Sequence, residues 1–384
     1  MSLESAQSAQ SAQSAQSAQS AQSAQSAQGG LPGLAPPAAL ILQREGIVGM
    51  EALDPGELGA VALDRFRLRG DLGRRVMRLD PGYRAQVIGF ELQEGLGVSP
   101  VETTPDPAGG NGKASPAALR PAASVNVAER PLLHLERPDP AMLRAELPIV
   151  MGYTDLRLER SAEIIAQRSD VISYVGSCLP LDPLRTPRTI EFLLIAQTLT
   201  EGCMQSVKAV LGVPRPGEVH PAIQPMIATP SHGSYPSGHA TQAFMCAAVL
   251  PALTGRIGKA HETARQYMNK AATRVAQNRT VSGLHYPSDS AAGATLGRQL
   301  GTYLLARIQA GLDDEPRVLE GQELPSSRTL GATAWAAGRR SARDFTVVEF
   351  ERFFEGLLVG DPVSVPAAPA AAALWRAARA EWED

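Results

Sequence analysis

From Pro138 to Leu312 the apolar residues recur at helical spacing, and no run of alternating or β-branched residues long enough for a strand interrupts them. This pattern constrains the fold most, because apolar stripes of helical period must be buried helix against helix. Asp139-Pro140 supplies a start, with proline at the first helical position. Tyr153–Gln167 is amphipathic, with Leu156, Ile164 and Ile165 set among charged positions. Thr189–Leu211 carries Phe192, Leu193, Ala196, Leu199, Met204 and Val207, and Gly212 with Pro214 ends it. Ala240–Leu253, His261–Gln277 and Asp289–Ile308 complete an all-α helical bundle of roughly five or six helices.

The flanks read differently. From Ser5 to Gln28 the triplet Ser-Ala-Gln repeats without a break. A period of three fits neither a helix face nor a heptad, and the repeat has no large apolar residue to bury, so residues 1–30 are expected to be a disordered tail. Residues 31–130 are mixed: Glu57–Leu68 and Arg84–Leu96 fit short helices or strands, Asp80-Pro81-Gly82 reads as a turn, and the Pro/Gly/Ala-rich stretch Thr103–Ala123 reads as a long loop. The helical catalytic core is expected over residues 131–315. A C-terminal extension follows over 316–384, with helices at Val347–Leu358 and Ala370–Trp382 on either side of a Pro-Ala linker, Val363–Pro369.

Bulk charge narrows the function. Across 384 residues, 36 Lys and Arg stand against 39 Asp and Glu, a net charge of -3, so the chain as a whole has no basic footprint for nucleic acid. An anion site must come from a local cluster of cations. Cys178, Cys203 and Cys246 cannot all pair, and none lies in a C-x-x-C spacing, which fits free thiols in a reducing compartment. The N-terminus has neither the basic nor the apolar region of a secretory signal, and no stretch offers the ~20 apolar residues of a membrane span. The expectation is a soluble, cytoplasmic protein with no membrane partner. A homo-oligomer is left open.

Three short patterns carry the chemistry. Lys208 is followed after six residues by Arg215-Pro216; Pro236-Ser237-Gly238-His239 comes next; Arg279, His285 and Asp289 form the third. Lys208 and Arg215, about two helical turns apart near one helix end, and Arg279 supply three cations, two of them guanidiniums able to make forked bonds to oxygens. Ser237 offers a hydroxyl before a helix start, and Gly238 permits close backbone approach, so that N–H groups face an anion. His285 and Asp289 are four apart, the spacing at which a carboxylate can fix the imidazole tautomer and leave the other nitrogen free as ligand or nucleophile. His239 is then available as acid or base. Together these groups describe a pocket for a tetrahedral or trigonal-bipyramidal oxyanion.

In this order the patterns resemble the signature shared by vanadium-dependent haloperoxidases and type 2 phosphatidic-acid phosphatases. The resemblance spans Lys208–Asp289. It implies a helical bundle of that superfamily, with Lys208, Arg215, Ser237, Gly238 and Arg279 holding the oxyanion, His285 as its covalent partner and metal ligand, and His239 as the acid–base group. One position departs: the third motif usually begins Ser-Arg and here reads Asn278-Arg279.

Both chemistries of the superfamily suit this pocket. A peroxidase would bind vanadate (or phosphate in the same place) and use hydrogen peroxide, halide and a small organic acceptor. A phosphatase would form a phosphohistidine at His285. The lack of membrane spans argues against the lipid phosphatases of the superfamily, and the stretch Ser231–Gln242, with His232 seven residues before His239, resembles the bromoperoxidase variant, in which a histidine stands where chloroperoxidases have an aromatic residue. The expectation is therefore a vanadium-dependent haloperoxidase, with bromide the halide. The run Gly-Ser-Tyr-Pro-Ser-Gly-His, residues 233–239, also resembles soluble bacterial acid phosphatases, which are the alternative. A reading of another class, a non-enzymatic helical anion-binding or scaffold protein, leaves His239, His285 and Asp289 without a purpose.

Overall fold

The computed structural model describes residues 72–103, 120–127, 130–255, 259–312, 324–326, 328–330, 360–363 and 365–383. The Ser-Ala-Gln tail, the segment Glu57–Leu68 and the expected helix Val347–Leu358 lie outside the described residues. The chain divides into two compact units, Met1–Val87 and Ile88–Asp384. In the first, α1 (Leu72–Val76) is followed by the start of α2 (Pro81–Gln93). Asp80-Pro81-Gly82 is thus a helix start, with proline in the first turn, where its missing N–H costs nothing. There the Arg84 guanidinium donates to the carbonyls of Leu79 at 2.6 Å and Met77 at 3.2 Å.

In the second unit, β1 (Leu96–Thr103), β2 (Arg120–Val127) and β3 (Arg130–Glu136) form an antiparallel meander, which β5 (Arg328–Leu330) extends in parallel beside β3. Another short strand, β4 (Leu324–Ser326), pairs with β6 (Gly360–Val363). The structure is mostly helical, as the periodicity requires, but the all-α expectation needs this correction. The expected loop over 103–123 ends in strand β2, and the first residues of the expected helical core, 131–136, are strand β3. Composition hid β2 because its apolar residues include small ones. Ala123, Val125 and Val127 are nonetheless fully buried, and β1 and β2 pack on the long helix that follows.

The helices run in chain order: α3 (Pro140–Gly152), a 3-10 turn (Tyr153–Leu156), α4 (Arg157–Ala166), α5 (Val171–Val175), α6 (Pro187–Leu211), α7 (Pro216–Val219), α8 (Gly238–Leu253), α9 (Lys259–Val281), α10 (Pro287–Leu312) and, last, α11 (Pro369–Ala380). Asp139 caps α3 as its spacing predicts, accepting from Met142 N at 2.8 Å. On α4, Ile164 is buried and Ile165 exposed.

At the centre, α8 lies against α10 along Gly293, Gly297 and Gly301. A Cβ at Gly297 would fall on the Thr241 carbonyl oxygen, and one at Gly301 would lie 2.7 Å from Ala248 Cβ. Only glycine lets the two backbones approach this closely. The approach joins the N-termini of both helices, where Ser237 N donates to the Asp289 carbonyl at 2.8 Å.

Helix α11, part of the extension, packs on α6 and α10, with Trp375 edge-on to Phe192 at 5.2 Å. Glu91 accepts from the N–H groups of Ala370 and Ala371 and caps α11. Glu381 in turn accepts from those of Arg188 and Thr189 and caps α6. No helix among the described residues is long and apolar enough to cross a membrane. The three cysteines are unpaired.

Candidate active site

The residues singled out in the sequence come from four places. Lys208 lies in the last turn of α6, which ends at Gly212 in the left-handed conformation with φ 54°. Arg215 is not on that helix; it lies past its end, as the N-cap residue of α7. Ser237 is the N-cap of α8, whose first two residues are Gly238 and His239. Arg279 belongs to α9, which runs on to Val281, further than its apolar pattern suggests. His285 stands in the short link before α10, and Asp289 is in the first turn of that helix.

These groups surround His285. Its Nδ1 lies 2.9 Å from Asp289 Oδ2 and 3.3 Å from Ser234 Oγ, while its Nε2 lies 3.4 Å from Arg215 Nη1. A guanidinium can only donate, so the contact with Arg215 requires a bare lone pair on Nε2 and puts the proton on Nδ1, facing Asp289. Asp289 Oδ2 also accepts from Tyr286 N at 3.0 Å and, in a very short bond, from the Ser234 hydroxyl. Burial and the positive charges of Lys208 and Arg215, with His239 and Arg279 behind them, hold the His285 imidazole well below its ordinary range. It is therefore neutral at pH 7, the state in which Nε2 can act as ligand or nucleophile.

Lys208, Arg215 and Arg279 are each 2% exposed or less. Charges buried so deeply need compensation. Lys208 Nζ donates to the carbonyls of Gly233 at 2.7 Å and Ser234 at 2.9 Å. Burial lowers its pKa, against the pull of Asp289. Arg215 donates to the carbonyls of His232 and Leu284 at 3.2 and 3.0 Å, and its Nη2 lies 3.2 Å from His232 Nδ1. Two of the cations thus organise the 232–234 loop as well as adding charge.

Arg279 differs. Its Nη2 donates to Ile164 O and Gln167 Oε1, both at 3.2 Å, while Nε and Nη1 are buried without a partner, and so is His239 Nε2. Burial, with Arg279 close by, brings His239 down to about 3. The formal charge of three cations against Asp289 is positive. Together with the unanswered Nε and Nη1 donors of Arg279, this is a donor set suited to a buried oxyanion such as vanadate or phosphate. At Gly238 a Cβ would lie 3.0 Å from Met204 Cε, so glycine keeps the wall at the helix start open. The Ser237 hydroxyl is turned to its own helix, accepting from Ala240 N at 3.5 Å.

His232 is half-buried at the rim. Its Nδ1 lies between Arg215 Nη2 and the Gly233 carbonyl, 3.1 Å away. It can accept from the first or donate to the second, not both.

Sequence reasoning missed Ser234, Gln167 and Glu146. Ser234 stands inside the quoted run, but its bond to Asp289 joins positions 55 apart. Glu146, on α3, accepts from Ser288 N and Oγ at 3.2 and 2.7 Å and steadies the start of α10. Residues 191–311 match the family model described as PAP2 superfamily, and this stretch, which contains every residue from Lys208 to Asp289, carries a PAP2 superfamily domain. That superfamily includes phosphatases and haloperoxidases. No curated protein matches the chain.

Proposed function

We propose that the protein is a vanadium-dependent haloperoxidase that oxidises halide, bromide first, with hydrogen peroxide at a vanadate held by His285. The observation that carries this reading is the neutral, Asp289-oriented His285, whose Nε2 lone pair faces the Arg215 guanidinium, together with the unpartnered N–H groups of Arg279. Bound vanadate supplies a Lewis-acidic centre that activates peroxide toward halide. Arg279, Lys208 and the N–H groups at the start of α8 bind and orient the oxyanion. Arg215 holds the Nε2 side of His285 and the rim loop, and His239 takes and returns a proton at Nε2. Support for bromide over ester hydrolysis comes from His232, which shares the Arg215 guanidinium with His285.

The same groups fit a second reading, a phosphatase. His285 Nε2 would attack phosphorus, the P–O bond to the leaving group would break, and His239, recharged by the anion bound beside it, would protonate the departing oxygen; water would then cleave the phosphohistidine. The run at residues 233–239 favours it. We infer a cytoplasmic location from the sequence, to be tested by fractionation.

One assay separates the two chemistries. Purified protein is stripped of oxyanion, then tested with and without orthovanadate for peroxide-dependent bromination and for hydrolysis of a phosphate monoester. Vanadate-dependent bromination that inorganic phosphate inhibits is expected. Ester hydrolysis without bromination would assign the phosphatase.

A further inference from the structure

Among the described residues, Arg279 is the pocket cation whose side chain is held by a side chain outside the matched stretch 191–311, that of Gln167. Its Nη2 shares Gln167 Oε1 with Asn278 Nδ2, which lies 3.0 Å from that oxygen. The same Nδ2 reaches Glu163 Oε2 at 3.0 Å. Glu163 is gripped by both ends of the Arg274 guanidinium, at 2.8 and 2.7 Å, and accepts from Tyr174 OH at 3.2 Å. Arg160 Nη1 closes the far side, 3.3 Å from Asn278 Oδ1. Gln167 and Asn278 are both fully buried.

Two consequences follow. First, the side-chain acceptor that meets Arg279 is a neutral amide; the carboxylate of the same network, Glu163, is one link removed and already paired with Arg274. The guanidinium charge is therefore left for the pocket. Second, the Ile164 carbonyl that takes the rest of Nη2 lies at the C-terminal end of α4, where helix carbonyls favour a cation. With Nη2 tied at both contacts, the planar guanidinium cannot rotate, and Nε and Nη1 remain the donors without a partner.

We propose that Gln167 and Asn278 are positioning residues for Arg279, a neutral clamp that fixes the guanidinium and presents its Nε and Nη1 to the oxyanion. This rests on the anion-pocket reading but on neither of its two chemistries. It also gives the departure at Asn278 a purpose: a side chain long enough to reach Gln167 and Glu163 together.

The test is a double-mutant cycle read by calorimetric binding of inorganic phosphate to the full chain. Gln167→Leu should weaken phosphate binding roughly 10–100-fold, the usual cost of removing a partner behind a ligand-holding group. In an Arg279→Ala background the same substitution should change affinity by less than about twofold, because the group it acts through is gone. An equal loss in both backgrounds would make Gln167 a general structural residue and overturn the proposal, as would unchanged binding in the single variant. Should Gln167→Leu fail to fold, Asn278→Ala runs the same cycle with the same expectation. Unchanged phosphate affinity in Arg279→Ala itself would instead refute the anion pocket.

Discussion

His285 Nδ1 lies 2.9 Å from Asp289 Oδ2 although His285 precedes the helix that carries Asp289. The contact does not come from helix geometry. It is made by the link between α9 and α10, where the N–H groups of Leu284 and His285 bond back to the Arg279 carbonyl at 3.1 and 3.3 Å. The same fold places the aspartate behind the imidazole and the arginine of the motif one turn away. Asp289→Asn keeps the shape but offers an amide where a carboxylate accepted three bonds. A tautomer with the proton on Nε2 would then become accessible. Turnover should fall roughly 10–100-fold, and nitrogen-15 spectra of the histidine should show the proton redistributed. Unchanged turnover would remove the orienting role.

Replacing His285 by Ala should abolish turnover of either kind. Among the described residues no other imidazole lies against both Arg215 and Asp289, and the pocket would keep its cations but lose its covalent partner. Retained phosphate binding with no activity is the expected signature. Wild-type turnover at equal vanadate would show that another group bonds the substrate oxyanion.

Gly297→Ala tests the glycine seam. The new methyl would meet the Thr241 carbonyl and lie 3.0 Å from Met245 N, both backbone atoms that cannot step aside alone. Overpacking of this kind costs about 1–3 kcal/mol, read as a lower midpoint in thermal unfolding. Pushing α8 from α10 also strains the bond between Ser237 N and Asp289 O, so phosphate affinity should fall with stability. Gly202→Ala, exposed on α6 with nothing within 4 Å among the described residues, is the control and should be neutral or mildly stabilising.

The Glu163 carboxylate gives a pH signature. Its hydrogen bonds to Arg274, helped by Asn278 and Tyr174 against the cost of burial, hold it down to about 2 from an ordinary 4.5. A carboxylate depressed in the folded state adds stability that is fully present above the unfolded value and is lost as pH falls toward the folded one. Stability should therefore decline between about pH 4.5 and 2. Glu163→Gln should flatten that part of the curve in acid titrations followed by circular dichroism. An identical acid profile in the variant would show that the group is unshifted.

Much of this was legible before folding. Lys208, Arg215, His239, Arg279, His285 and Asp289 stand out in the sequence because their chemistry is rare and their order specific, and the structure brings them together around His285. The helices were found because their apolar stripes are long. What escaped depends on partners distant in sequence. Ser234 reads as an ordinary loop serine until Asp289 is beside it. Gln167 is a helix-end amide until α9 brings Arg279 and Asn278 against it. Strand β2 looks like a Pro-Ala loop until α6 covers it. The glycines Gly293, Gly297 and Gly301 carry no signal of their own until packing against α8 gives them meaning.

His232 decides between the chemistries. The Arg215 guanidinium can only donate, so when His232 Nδ1 turns to it, 3.2 Å away, Nδ1 must be bare and the ring's proton sits on Nε2. That tautomer leaves a donor on the far edge of the ring, suited to polarise a peroxide oxygen toward halide. If Nδ1 instead donates to the Gly233 carbonyl at 3.1 Å, the far edge is an acceptor and has no such use. Burial, with Lys208 and Arg215 near, lowers the pKa of His232, so the neutral ring with its choice of tautomer is the form present at pH 7. His232→Ala should lower bromide turnover roughly 10²–10³-fold, the usual cost of one positioned donor, and change vanadate affinity far less, because Lys208, Arg215 and Arg279 still supply the charge. His239→Ala should instead depress every peroxide-dependent reaction whatever the halide. In a phosphatase no halide-side donor is needed, and His232→Ala would leave ester hydrolysis nearly intact. Bromide turnover that survives the loss of His232 would reduce it to a brace for Arg215 and withdraw the main support for a peroxidase.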